Sequence, residues 1–127
     1  MKDIKVIAFD ADDTLWVNEP YFREAEEKFS NLLEDFLPHH IVQKELFKTE
    51  MDNLELYGYG VKSFMLSMIE TIGRITNNKA DIKLVNKAVK LGRELLNKPV
   101  VILDGVQEVL KQLNGSYRLV MATKGDL

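Results

Sequence analysis

The amino-acid sequence predicts an α/β fold in which a parallel sheet carries an inserted bundle of α-helices. Three observations lead there. A short apolar run from Ile4 to Phe9 ends abruptly in Asp10. From Asn18 to Asn97 apolar residues recur almost throughout at the helical period. Beyond Pro99 the α/β pattern returns as strand, helix and strand.

The opening run is too short for a helix. Val6, Ile7, Ala8 and Phe9 are continuous and apolar, which is the signature of a strand covered on both faces in a parallel sheet. Asn18 is placed to cap a first helix whose first turn holds Glu19 and Pro20, and whose apolar side is Tyr21, Phe22, Ala25, Phe29, Leu32, Leu33 and Phe36. Pro38 is expected to end it. A second helix, less cleanly periodic, is expected from about Ile41 to Leu56, before the turn Tyr57-Gly58-Tyr59-Gly60. A third carries Val61, Phe64, Met65, Met68, Ile69, Ile72 and Ile75. The fourth begins near Asn78 to Asp81, sets Ile82, Val85, Val89 and Leu96 on one side, and stops at Lys98-Pro99. Val100 to Leu103 then reads as extended, Asp104-Gly105 as a turn and Val106 to Leu113 as a short amphipathic helix closed by Asn114-Gly115. Tyr117 to Ala122 reads as a second strand leading into Thr123-Lys124-Gly125-Asp126.

Composition bounds the function. A chain of 127 residues with 46% hydrophobic and 29% charged residues suits one folded unit of ordinary size. Cysteine is absent, which excludes disulfides and thiolate metal sites and suits a reducing cytoplasm. The net charge of −3 comes from acidic and basic residues spread along the chain, giving no support to nucleic acid or an anionic membrane as the partner. Ile4 to Phe9 is too short for a signal peptide or a membrane span, and the expected location is cytoplasmic.

The chemistry concentrates after the first strand, at Asp10-Ala11-Asp12-Asp13-Thr14. Ligands of open α/β sheets sit beyond the carboxyl ends of the strands. Residues i and i+2 of an extended segment share a side, so Asp10 and Asp12 can face one substrate. That pair suits covalent phosphoryl transfer, one carboxylate attacking phosphorus and the other exchanging protons with the leaving oxygen and water. A divalent cation is then needed to offset repulsion between phosphate and carboxylates, and Mg²⁺ prefers such hard oxygen ligands. The bland alternative is a solvated acidic turn. The buried-type strand before it, Thr14 after it and a second strand ending at Thr123 weigh against that alternative.

Together these segments resemble the haloacid dehalogenase-like, or HAD, superfamily of hydrolases, in the branch with a helical cap inserted after the first motif. Val6 to Leu15 matches the first motif, four apolar residues followed by Asp-x-Asp-x-Thr. Leu119-Val120-Met121-Ala122-Thr123 is similar to the second, and Asp104-Gly105-Val106 with Val109, Leu110 and Leu113 is similar to the helix before it. The resemblance implies a Rossmannoid parallel sheet, incomplete in this chain, formed by residues 1–17 and 99–127, with residues 18–98 as the cap. It implies Asp10 as nucleophile and Mg²⁺ ligand, and Asp12 as general acid and base with its backbone carbonyl as a second ligand. It assigns the phosphate end to Thr123, to backbone amides near Ala11 and Asp12, and to those after Thr123. Lys124 is counted there as a neighbour; it does not stand in for the family's third-motif lysine, and a surface or helix-start place suits it better. Thr14 would steady the loop, and Leu15, Trp16 and Val17 fall at the family's flap.

Family members that cleave carbon–halogen bonds or pump ions lack an aspartate at the second position, so Asp12 favours a phosphatase or phosphomutase. The implied substrate is a small phosphorylated molecule, and sugar phosphate, nucleotide, phosphorylated acid and protein all stay open. The family's third and fourth motifs should follow the second, and the chain ends at Leu127. The 127-residue chain alone is therefore expected to be inactive, with self-association through an incomplete sheet. Two rivals stand beside the enzyme: a non-catalytic HAD-like fragment, and a receiver-like signalling module, against which the long helical insertion argues. Tyr57, Tyr59 and Trp16 are candidate substrate contacts, with helix packing an equal reading for the tyrosines. His39 and His40 are expected in a solvated loop.

Overall fold

In the computed structural model, which describes residues 4–10, 19–99 and 102–122, β1 (Val6–Asp10) and β2 (Arg118–Ala122) pair in parallel. The register sets Val6 opposite Arg118 and Asp10 opposite Ala122, and the Arg118 amide donates to the Lys5 carbonyl at 2.8 Å. Between the strands run α1 (Glu19–Leu32), α2 (His39–Tyr57), α3 (Val61–Ile75), α4 (Ile82–Leu96) and α5 (Val106–Asn114). This is the mixed α/β architecture that the sequence predicts. Parallel strands need a long crossover connection, which the helices supply.

The described residues separate into two compact units, Tyr21–Lys98 and the segments flanking it. In Tyr21–Lys98 the core is drawn from all the helices: Ala25, Phe29 and Leu33, then Val42 and Leu46, then Phe64, Met68 and Ile72, then Ala88, Leu91 and Leu95. Phe22 meets Phe64 edge to face, with ring centroids 5.3 Å apart. Gly92 lets α4 approach α3 closely, because the Met65 side chain occupies the space that a Cβ would need. At the rim Lys28 pairs with Glu24 at 3.1 Å and Glu94 at 3.6 Å, and Lys98 reaches Glu24 at 3.6 Å while lying over the Tyr21 ring. These pairs lower the Glu24 carboxyl and raise the Lys28 ammonium, chiefly through their mutual hydrogen bond. Both are solvated, so the pairs contribute little to stability.

In the flanking unit α5 packs beside β2, with no buried residue in α5. β1 alternates exposed and half-buried positions, so the expectation of a strand covered on both faces is corrected: among the described residues nothing buries it. Other corrections concern helix ends. α1 stops at Leu32 and a turn follows, leaving Phe36 52% exposed. Pro38, extended at φ −60° and ψ 151°, is the N-cap of α2, so His39 and His40 are helical, not in a loop. Proline is compatible with a helix start because the first amides have no partner there anyway. In α4, Ile82 and Leu96 are exposed at the two ends, and the buried stripe is Ala88, Leu91, Gly92 and Leu95. Its N-cap is Asp81, whose carboxylate accepts from the Lys83 amide at 2.9 Å. Val100 and residue 101 lie outside the described residues. Among the described residues no helix is long and apolar enough to cross a membrane.

Candidate active site at the carboxyl ends of the strands

Asp10 is the last residue of β1 and is exposed. The parallel register sets it beside Ala122, the last residue of β2, so both strands finish at one level. That is where open α/β sheets hold their ligands, because the chain must turn there and backbone amides become available. Of the sequence-derived site, Ala11, Asp12, Thr14, Trp16, Thr123 and Lys124 lie outside the described residues. Asp10 is the part of the reacting pair that the structure describes.

An exposed carboxylate at this position is a hard oxygen donor of the kind Mg²⁺ takes, few in number and combined with water and substrate oxygens. Asp10 therefore fits such an ion. Among the described residues no group of three or more histidine and acidic side chains is gathered to hold a metal.

Tyr57 and Tyr59 belong to Tyr21–Lys98, at the turn between α2 and α3. Gly58 at φ 69°, ψ −156° and Gly60 at φ 126°, ψ −179° adopt backbone conformations that side-chain-bearing residues rarely reach. The Gly58 amide donates to the Leu54 carbonyl at 2.9 Å and the Phe64 amide to the Gly60 carbonyl at 3.1 Å. This turn leaves Tyr57 43% and Tyr59 51% exposed, so neither ring is a core residue.

Sequence reasoning missed two polar features of the helical unit. One is a hydrogen-bonded seam between α2 and α3, centred on buried Asn53, Ser67, Thr49 and Thr71. Its signal was present: Glu45, Thr49 and Asn53 recur every four residues on one side of α2. The other is Glu50, whose carboxyl is raised to about 7, first by burial and then by the Glu26 carboxylate.

A parallel strand pair with an aspartate at the end of its first strand and helices inserted between the strands is an α/β core with its acidic group at the ligand end of the sheet. The chain belongs to the haloacid dehalogenase-like hydrolases, whose family model matches residues 4–127. It is similar to a haloacid dehalogenase-like family hydrolase from Xanthomonas campestris, with 39% identity and a TM-score of 0.87 over 98% of this chain and 52% of that one. It also shares the fold of a 2-haloacid dehalogenase from Pseudomonas syringae pv. Tomato DC3000, at 20% identity and a TM-score of 0.62, over 98% of this chain and 56% of that one. The chain thus spans about half the length of these solved structures. Among curated proteins none matches.

Proposed function

We propose that this chain carries the nucleophile strand and helical cap of a Mg²⁺-dependent phosphohydrolase acting on a small phosphorylated molecule. The observation that carries the reading is Asp10 at the carboxyl end of β1, level with the end of β2, in a HAD-like hydrolase. An Asp10 oxygen attacks phosphorus, and the ester oxygen leaves with a proton from Asp12, giving an aspartyl-phosphate. Asp12 then takes a proton from water as that water attacks phosphorus, releasing inorganic phosphate and restoring Asp10. Thr123 and the backbone amides near Ala11 and Asp12 would hold the transferring oxygens, with Lys124 as a neighbour, and Thr14 would steady the loop. The Asp10 carboxylate and the Asp12 main-chain carbonyl would hold Mg²⁺, which would offset charge between phosphate and carboxylates.

Residues 18–98 form the cap in this reading, and residues 1–17 with 99–127 form part of the core. The compactness of Tyr21–Lys98 as a unit supports that division. In this reading Trp16, Tyr57 and Tyr59 are offered as the substrate contacts. The setting is cytoplasmic, as the lack of cysteine suggests. Carbon–halogen hydrolysis, the activity named for the Pseudomonas syringae structure, is a second reading, and Asp12 weighs against it because that branch does without a carboxylate there.

The test is a chimera in which this chain replaces the matching half of the Xanthomonas campestris hydrolase. With Mg²⁺ it should hydrolyse p-nitrophenyl phosphate, and Asp10→Asn should lower turnover on the order of 10⁴-fold or more while the fold persists, because an amide cannot form the acyl-phosphate. Undiminished turnover in that variant would remove Asp10 as nucleophile. The 127-residue chain by itself should show little or no turnover, and light scattering should detect self-association through its strands. Vigorous Mg²⁺-dependent turnover by a monomer of this chain would show that it needs no further segment.

A further inference from the structure

A line of polar contacts joins α2 and α3, beside the apolar core to which both helices contribute. At one end Arg74 pairs with the Glu45 carboxylate at 3.2 Å and donates to the Glu45 carbonyl at 3.1 Å. In the middle the Thr49 and Thr71 hydroxyls lie 3.1 Å apart, Thr71 donating to the Ser67 carbonyl at 2.7 Å and Arg74 donating to Thr49. Nearest the turn, the Asn53 amide uses both of its protons, one to the Ser67 hydroxyl at 3.1 Å and one to the Glu70 carboxylate at 3.0 Å. Asn53 is 8% exposed and Ser67 fully buried. Among the described residues no buried side-chain nitrogen or oxygen lacks a partner.

Such a seam fits one register only. Sliding α2 by one residue moves Asn53 about 1.5 Å along the axis and about 100° around it, leaving its amide without partners in a buried place, while the threonine hydroxyls keep only the carbonyls of their own helices. An apolar seam would tolerate the slip far better, which is why buried polar groups can select a register. Tyr57 follows Asn53 by four residues and so continues the same side of α2 into the turn. Two glycine-dependent conformations and a few backbone bonds make up that turn, so it inherits whatever offset the two helices take.

We propose that Asn53 is a positioning residue: by locking α2 in register on α3 it fixes the turn Tyr57–Gly60 and the two tyrosines displayed there. The catalytic relevance of those tyrosines rests on the cap reading above; the positioning itself does not.

The test is amide hydrogen exchange on the 127-residue chain. Asn53→Asp keeps the size of the side chain but cannot donate, and exchange at Gly58 and Phe64, whose amides bond the Leu54 and Gly60 carbonyls, should rise about tenfold or more, the factor expected from one or two lost hydrogen bonds. Adding Glu70→Gln to that variant reverses donor and acceptor and should restore protection. Asn53→Leu with Ser67→Ala should keep the melting temperature near that of the wild type and still loosen the turn, with exchange in the middle of α4 unchanged. An unchanged turn in this folded apolar variant, or no rescue by Glu70→Gln, would overturn the proposal. In the chimera, Tyr57→Ala and Tyr59→Ala test the substrate role separately: unchanged KM for a phosphorylated substrate would remove that role and leave the positioning by Asn53 standing.

Discussion

The helical unit and the strand-bearing unit are built from equally apolar segments, yet their side chains meet opposite fates. Every buried apolar residue among those described lies in Tyr21–Lys98, where four helices close a core on themselves. In β1, α5 and β2 the corresponding residues, Val6, Val109, Val120 and Met121 among them, are 41–50% exposed. The difference is in the cover. An amphipathic helix finds its partner in the next helix along the chain, whereas a strand of a parallel sheet needs neighbours on both edges and helices on both faces. The portion of the Xanthomonas campestris structure that matches is 52% of that chain.

The largest expected effect lies in the helical unit. Phe29 is fully buried, and Phe29→Ala should cost about 3–5 kcal/mol by losing transfer energy and leaving a cavity. Urea unfolding followed by helical circular dichroism would measure it. A loss below about 1 kcal/mol would mean that the core collapses around the gap and that the contrast between the two units is weaker than their burial implies.

A smaller effect should depend on pH. The Glu50 carboxyl is raised from 4.5 to about 7 in the folded unit. From α1 the Glu26 carboxylate faces it; the charged groups of α3 that face α2, Glu70 and Arg74, are engaged with Asn53, Thr49 and Glu45. Because the folded state holds this proton more tightly than the unfolded chain, the stabilisation is fully present below pH 4.5 and is lost as pH rises through about 7. Glu50→Gln should therefore match the wild type in acid and exceed it at pH 8 by ~1–3 kcal/mol. Parallel stability curves for the two proteins from pH 4 to 8 would contradict this origin of the shift.

Much of this contrast was legible in the sequence. The apolar residues assigned to the third helix, Val61 to Ile75, all fall within α3, since they are large, periodic and preceded by Gly60. The parallel pairing of the strands also followed from their composition and the long connection between them. The α4 stripe differs from the expected one because Ala88 and Gly92 share it with Leu91 and Leu95, and the small size of the first two hides half of it from a search for large apolar residues. α2 looked weakly periodic for a physical reason: its side toward α3 is Glu45, Thr49 and Asn53, polar residues that become buriable through hydrogen bonds supplied by α3. At the site, the strand-end position of Asp10 was readable from the abrupt change after Phe9. The proton-holding Glu50 was not, because its environment is set by Glu26 on another helix.

The smallest effect is expected in the strand-bearing unit, and it sharpens the comparison most. Val109 sits on α5 at 47% exposure, so Val109→Ala should change the stability of the 127-residue chain by no more than about 0.5 kcal/mol, the range of ordinary surface substitutions. In the chimera with the rest of the Xanthomonas campestris core, the same substitution should cost about 1 kcal/mol or more if the added segment takes the side chain out of water. The two measurements share one residue and one deletion of atoms, so their difference isolates what the added segment covers. Equal, negligible costs in both proteins would mean that α5 faces solvent in the completed fold as well, and that its exposure here reflects its own place in the fold.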